Sequence, residues 1–175
     1  MSSQKIVVVG SSNTDLIIRV PHLPAPGETI LGGKFLTAPG GKGANQAVAA
    51  ARAGGTVALV AKVGDDHYGR EAVAGFMRDG IDVAHVFRDR RAPSGVALIF
   101  VSARGENCIA VADSANARLS PADVKRAAVA LVEGQPLPAA VRFAHAAAAL
   151  SVTRPGAQSS APQRRAVDKL LNSGV

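Results

Sequence analysis

The sequence has one cysteine, no tryptophan, one tyrosine and five phenylalanines among 175 residues. Cys108 has no second cysteine to pair with, which excludes an intrachain disulfide and makes a reducing cytoplasm the expected compartment. The longest strongly apolar stretches, Gly95 to Ala103 and Phe143 to Val152, fall well short of the roughly 18 to 20 residues that span a bilayer, so no membrane helix is expected. Met1-Ser-Ser-Gln-Lys5 lacks the basic segment and apolar core of a secretory leader. The few aromatic residues leave little on which nucleic-acid bases could stack. Lysines and arginines are scattered singly, apart from Arg88, Arg90 and Arg91 and the pair Arg164 and Arg165. The net charge of +7 therefore reads as a solvated basic surface, and nucleic-acid binding driven by that charge is the weakest of the functional readings.

What is present is the composition of one globular domain, 47% hydrophobic and 19% charged. Lys5-Ile-Val-Val-Val-Gly10 is a β-branched run closed by glycine, as expected of a strand buried on both faces of a sheet, with polar Ser11 to Asp15 in a loop at its carboxyl end. Leu16 to Val20 and Glu28 to Phe35 are predicted strands, separated by a turn rich in proline and glycine. A helix is predicted over Ala44 to Ala53, ended by Gly54-Gly55, then a buried strand over Thr56 to Val63 and a helix over His67 to Asp79. Gly80-Ile81 turns back towards another strand, and Gly95 to Val101 with Asn107 to Ala112 form a predicted hairpin. Ser120-Pro-Ala-Asp123 starts a helix with serine at the cap and proline in the first turn. Helical stretches are also predicted over 139 to 153 and 162 to 171. The alternation of strand and helix gives an α/β class with a mostly parallel sheet and a small β excursion.

Chemistry concentrates in two polar segments. Gly40-Gly-Lys-Gly43 is neither a nucleotide P-loop nor a dinucleotide fingerprint, because the glycine spacing differs and no Ser or Thr follows the lysine. It offers backbone amides free of side chains where a helix begins, with Lys42 and Asn45 projecting from the same turn. A carboxylate accepts hydroxyl protons and an amide both donates and accepts, so Asn13, Asp15 and Asn45 together suit vicinal hydroxyls, the chemistry of a sugar. Taken singly, each has a structural reading too, with Asn13 or Asp15 as a turn or cap, Lys42 as a solvated charge and the glycines as a helix entry.

Four motifs in order, Gly10-Ser-x-Asn13-x-Asp15, Pro24-x-Pro-Gly-Glu-Thr29, Gly40-Gly-Lys-Gly-Ala-Asn-Gln-Ala47 and Gly64-Asp-Asp66-x-x-Gly69, resemble the ribokinase-like carbohydrate kinases of the PfkB type. The resemblance implies a three-layer α/β/α fold with a small β lid, here at about 11–36 and 94–112. It implies D-ribose contact by Asn13, Asp15, Gly41, Lys42 and Asn45, with Thr14, Gly43 and Ala44 in the same loops. It further implies a homodimer formed through the lid, and ATP, Mg²⁺ and K⁺ as cofactors. Residues 136–158 resemble the carboxyl end of the family, which puts His145 beside the nucleotide base and Ser151, Arg154, Gly156 and Ser160 around the monovalent cation. His145 is equally readable as an ordinary helix residue.

Between about Ala127 and Leu131 the sequence jumps. The family's Asn-x-x-Glu and Gly-Ala-Gly-Asp motifs do not occur, and Val63-Gly64-Asp65 belongs to a different family motif, so Asp65 is not the catalytic base. The expected organisation is a sugar-binding region over 1–130 joined to a carboxyl-terminal helical segment over 131–175, with an incomplete sheet that leaves an open edge and uncovered apolar faces. The first functional reading is a ribokinase-family chain without phosphoryl transfer. The second is a lid-mediated interaction subunit that pairs with an intact kinase.

Overall fold

The computed structural model describes residues 5–131 together with Gln163, Arg165, Ala166 and Lys169. Strands β1 (Lys5–Val9), β4 (Thr56–Gly64) and β5 (Val86–Asp89) form a parallel sheet in the order β1-β4-β5. Strands β2 (Asn13–Val20), β3 (Lys34–Gly40), β6 (Gly95–Ser102) and β7 (Asn107–Ala112) form a mixed sheet in the order β3-β2-β6-β7. Helices α1 (Lys42–Arg52) and α2 (His67–Arg78) link the strands of the parallel sheet, and α3 (Pro121–Leu131) follows a short 3-10 helix, Ser114–Arg118.

The sidedness of β4 makes the layers. Val57, Leu59 and Ala61 pack with Ala44, Ala47 and Val48 of α1 and Phe76 of α2, whereas Ala58 and Val60 pack with Ala127 of α3. Helices thus cover both faces of β4, which is why its sequence is continuously apolar instead of alternating. Ala44, Ala47 and Val48 fall at i, i+3 and i+4 of α1 and are fully buried, so one stripe of that helix seals one face. Complete burial of a side chain such as Val48 stabilises the fold by about 1.5–3 kcal/mol.

Polar ties fix the helices. Arg52 at the end of α1 grips Asp79 after α2 through two bonds, Nε to Oδ1 at 2.7 Å and Nη2 to Oδ2 at 2.9 Å. On the other face Lys62 Nζ donates to Asp123 Oδ2 at 2.7 Å and to the Arg118 carbonyl at 3.0 Å. The Asp123 carboxylate also accepts from the Ser120 amide and hydroxyl, while the Asp123 amide donates back to Ser120 Oγ, a reciprocal cap at the start of α3.

Several expectations change. β1 is not buried on both faces: Val8 joins the core, but Val7 and Val9, which alternate to the α3 side, are 38% and 49% exposed. Among the described residues only β4 pairs with β1. The predicted strand over Glu28 to Phe35 is displaced to Lys34–Gly40, because Gly27 and Gly32 hold positive φ angles of 81° and 84° and keep that segment in turns. Asn13 to Asp15 lie in β2, not in a loop, since they pair with Gly40 to Ala38 on one side and Gly95 to Ala97 on the other. The predicted helix over 139 to 153 lies outside the described residues. Of the one over 162 to 171, Arg165, Ala166 and Lys169 are helical.

Lys62 and Asp123 are both nearly buried, so removing one partner strands the other. Lys62→Ala is expected to cost about 3 kcal/mol in urea denaturation. The Lys62 ammonium, followed by the Ser120 amide, holds the Asp123 carboxyl well below its usual range. Its stabilising contribution is therefore complete above the unfolded value near about 4 and drains away as pH falls through the lower folded value. An acid titration followed by circular dichroism checks this, with the Asp123→Asn variant expected to lose that part of the pH dependence.

Candidate functional site

Two glycine contacts press the first two polar segments together. A methyl on Gly43 would lie 2.6 Å from the Gly10 Cα, so the first turn of α1 packs directly on the end of β1. The Ala44 amide donates to the Ser11 carbonyl at 2.9 Å, and the Gly10 amide donates to the Val60 carbonyl at 3.1 Å. Gly41, at φ 92°, caps α1 with no side chain, and a β-carbon there would come within 2.7 Å of the Asn13 amide nitrogen. The amino end of α1 thus carries no side-chain cap.

Asp15 lies over Gly40. A β-carbon on Gly40 would collide with both carboxylate oxygens of Asp15, so the glycine is what makes room for the acid. Burial raises the Asp15 carboxyl above its ordinary value. One turn into α1, Asn45 Oδ1 is buried with no hydrogen-bond partner, an acceptor without a donor. Strand register puts Leu36, Ile99, Ile109 and Val111 on the face of the lid that carries Asp15. A hydroxyl-gripping edge therefore borders an apolar wall, which suits a sugar with its alternate polar rim and C–H faces.

Of the residues singled out from the sequence, Gly41 lies against Asn13 and Asp15 against Gly40, Asn45 stands one turn into α1, and Lys42 is exposed. Thr14 is buried and alternates to the opposite face of β2. Ala44 is fully buried in the core and offers only its amide, which Ser11 already takes, while Gly43 is packed on Gly10. These three shape the loops: Thr14 alternates away from the Asp15 side, Ala44 is in the core, and Gly43 has no side chain. His145, Ser151, Arg154, Gly156 and Ser160 lie outside the described residues. Among the described residues no three His, Cys, Asp or Glu side chains cluster as metal ligands. Asp65 is turned to Arg88 and Arg90, at 3.6 and 4.0 Å.

A cavity of about 770 Å³ lies beside this cluster, between Thr14, Thr37 and Pro39 of the lid and His67, Tyr68 and Glu71 of α2. Asn13 and Gly40 also line it, whereas Asp15, Lys42 and Asn45 do not, so the polar cluster borders the cavity. Sequence reasoning missed Asn116, whose side chain bonds to Ser12 and Asn13. The available signal was a polar stretch, Asp113 to Asn116, directly after a strand. It also missed Ser94, whose amide and hydroxyl both donate to Asp66, at 2.7 and 2.6 Å, anchoring the lid's return strand to the cap of α2.

A family model described as pfkB family carbohydrate kinase matches residues 3–130 and, separately, 126–164. The chain belongs to the pfkB family of carbohydrate kinases. The ribokinase of Bacillus subtilis (strain 168) is 45% identical over 119 residues, 68% of this chain and 40% of that protein. The deoxyribokinase of Salmonella typhi is 42% identical over 123 residues, 70% of this chain and 40% of that one. The solved structure of ribokinase from Cryptococcus neoformans var. grubii serotype A in complex with ADP is 38% identical, with a TM-score of 0.60 over 66% of this chain and 35% of that chain. The chain thus spans about 40% of the length of these curated pfkB relatives. The fold is the ribokinase-like α/β/α arrangement with its lid, present in part. No described helix is long and apolar enough to cross a membrane.

Because the Asp15 carboxyl is raised by burial, its ionised form works against folding at neutral pH. Asp15→Asn is expected to raise the thermal midpoint at pH 7, and the gap to the parent chain is expected to close as pH falls toward 3.8. Gly40→Ala is expected to lower the midpoint by displacing that carboxylate. Differential scanning calorimetry of the three chains checks both.

Proposed function

We propose that this pfkB-family chain is a sugar-binding module that takes D-ribose on the shelf formed by Asn13, Asp15, Lys42 and Asn45 and performs no phosphoryl transfer by itself. The observation that carries the binding half is the buried Asn45 Oδ1 without a donor, set one turn into a helix whose amino end is uncapped. A ligand hydroxyl supplies that missing donor. Asp15 accepts further hydroxyl protons, and the open amides beside Gly41 face a ligand oxygen. D-ribose is favoured over other sugars by relatives such as the Bacillus subtilis ribokinase, although a deoxyribokinase shares the same region at similar identity.

The inactive half of the reading rests on what the sequence lacks. The two spans matched by the family model overlap at residues 126–130, and the Gly-Ala-Gly-Asp motif that carries the family's catalytic aspartate does not occur in the sequence. Without that base and the amides that hold the transferring group, each worth two or more powers of ten in rate, about, binding survives and turnover does not. In this reading residues 1–130 hold the sugar, 131–175 form the carboxyl-terminal segment, and His145 with Ser151, Arg154, Gly156 and Ser160 are remnants of nucleotide and monovalent-cation sites. ATP, Mg²⁺ and K⁺ then belong to the family reaction. A cytoplasmic location fits a chain that meets its sugar there.

The test is ribose-dependent ADP formation by the purified chain with ATP, Mg²⁺ and K⁺, run beside calorimetric titration with ribose. Ribose binding without ADP formation above background is expected. Robust turnover overturns the inactive reading, and absence of heat at millimolar ribose overturns the binding one.

A second reading is favoured by the lid itself. Phe35 and Leu98, 59% and 50% exposed, occupy the lid face opposite Asp15, an apolar surface that suits pairing with the lid of a second copy or of an intact kinase. Light scattering of the chain alone, and mixed with a full-length ribokinase, is expected to show a dimer or a mixed dimer. Monomers in both samples remove this reading.

A further inference from the structure

Asn116 sits where both strands that lead into the lid begin. Its Oδ1 accepts from the Ser12 amide at 2.9 Å, and its Nδ2 donates to the Ser12 carbonyl at 3.1 Å. A backbone amide only donates and a carbonyl only accepts, so these two bonds fix which end of the Asn116 amide is which. The same Nδ2 donates its other proton to Asn13 Oδ1 at 2.8 Å. The 3-10 helix that presents Asn116 is itself held: the Ala115 amide donates to the Pro93 carbonyl at 3.0 Å, and Ala115 is fully buried. Ser114 adopts φ 47°, a left-handed conformation costly for a residue with a side chain, which turns the chain into that helix. Gly95 completes the clip, because a β-carbon there would strike both Asn116 Nδ2 and Asn13 Oδ1.

We propose that Asn116 is a positioning residue that holds Asn13 with its Oδ1 turned inward, so that Asn13 offers the sugar only its Nδ2 protons. The shelf is then divided by polarity. Asn13 donates to a ligand oxygen, whereas Asp15 and Asn45 Oδ1 accept ligand protons. A single ribose hydroxyl, or two adjacent ones, is read by one donor and neighbouring acceptors, and an inverted Asn13 would set three acceptors side by side and lose that match. The ligand part of this inference rests on the sugar-binding reading above; the orientation of Asn13 does not.

Two measurements on the full chain separate these. In a sample labelled with ¹⁵N-asparagine and free of ligand, the Asn116 side-chain NH₂ is expected to be protected from exchange with water and that of Asn13 to exchange rapidly, with assignments from the single Asn116→Ser and Asn13→Ser variants. Rapid exchange at Asn116, or protection at Asn13 equal to it, overturns the proposal whether or not sugar binds. In the second measurement Asn116→Asp keeps an acceptor for the Ser12 amide but offers no proton to Asn13, which turns its NH₂ to the new carboxylate and its Oδ1 to the ligand. Ribose affinity is expected to fall roughly tenfold or more. Among singly deoxygenated riboses, the one whose missing hydroxyl weakens binding to the parent but not to Asn13→Ala is expected to bind Asn116→Asp with no further loss relative to ribose. Unchanged ribose affinity in a folded Asn116→Asp chain, beside a loss in Asn13→Ala, overturns the proposal. A parent chain that binds no ribose sinks the sugar reading alone, and the exchange measurement still decides the orientation of Asn13.

Discussion

The contact between Gly10 and Gly43 sets the geometry on which the rest depends. With no β-carbon on either residue, the amino end of α1 comes down onto the carboxyl end of β1, and the Ala44 amide reaches the Ser11 carbonyl. That approach brings Gly41 against Asn13 and Gly40 beneath Asp15. Open α/β sheets gather ligand groups at the carboxyl ends of their strands. Here the arrangement is tighter than the general rule requires, because the strand after β1 leaves the parallel sheet at once and becomes the lid. The site and the hinge of the lid are consequently one piece of backbone, with Asn13, Gly40 and Gly95 level with one another in the register of three adjoining strands.

Much of this was legible in the sequence where local pattern and tertiary environment agree. The apolar run of β4 is continuous because helices cover both of its faces, and α1 repeats its buried alanines and valine at helical spacing. The Ser120 to Asp123 cap and the hairpin of β6 and β7 stand where turn and cap chemistry put them. Less legible were features set by partners distant in the chain. Asn13 to Asp15 look like loop residues because they are polar, yet two neighbouring strands hold them in β2. Glu28 to Gly33 has strand composition in part, but positive-φ glycines outweigh it. β1 carries the β-branched residues of a doubly covered strand, while Val7 and Val9 remain bare on the α3 side.

The candidate site divides the same way. Asn13, Asp15 and Asn45 were visible as residue types able to grip hydroxyls, and the structure brings the segments that carry them into contact. Thr14 and Ala44 were adjacent in sequence to the right residues but belong to the wrong side of strand and helix, a distinction that strand alternation and helical periodicity make only once the elements are fixed. Asn116 was invisible because its role is defined by three hydrogen bonds to residues at the other end of the described chain. A polar side chain that braces another polar side chain leaves no spacing pattern in a single sequence.

The parallel pairing of β2 with β6 bears on the order in which the molecule is made. β2 leaves the ribosome well before the strand that lies between it and β7, which is synthesised only after β3, α1, β4, α2 and β5. Until then β2 and β3 are a lone hairpin, too small to be stable in water. During translation the strands of the parallel sheet are therefore made before the candidate site is complete. A stalled or prematurely released chain that ends before Gly95 would carry Asp15 and Asn45 without the strand that pairs with Asn13 and the asparagine that bonds to it.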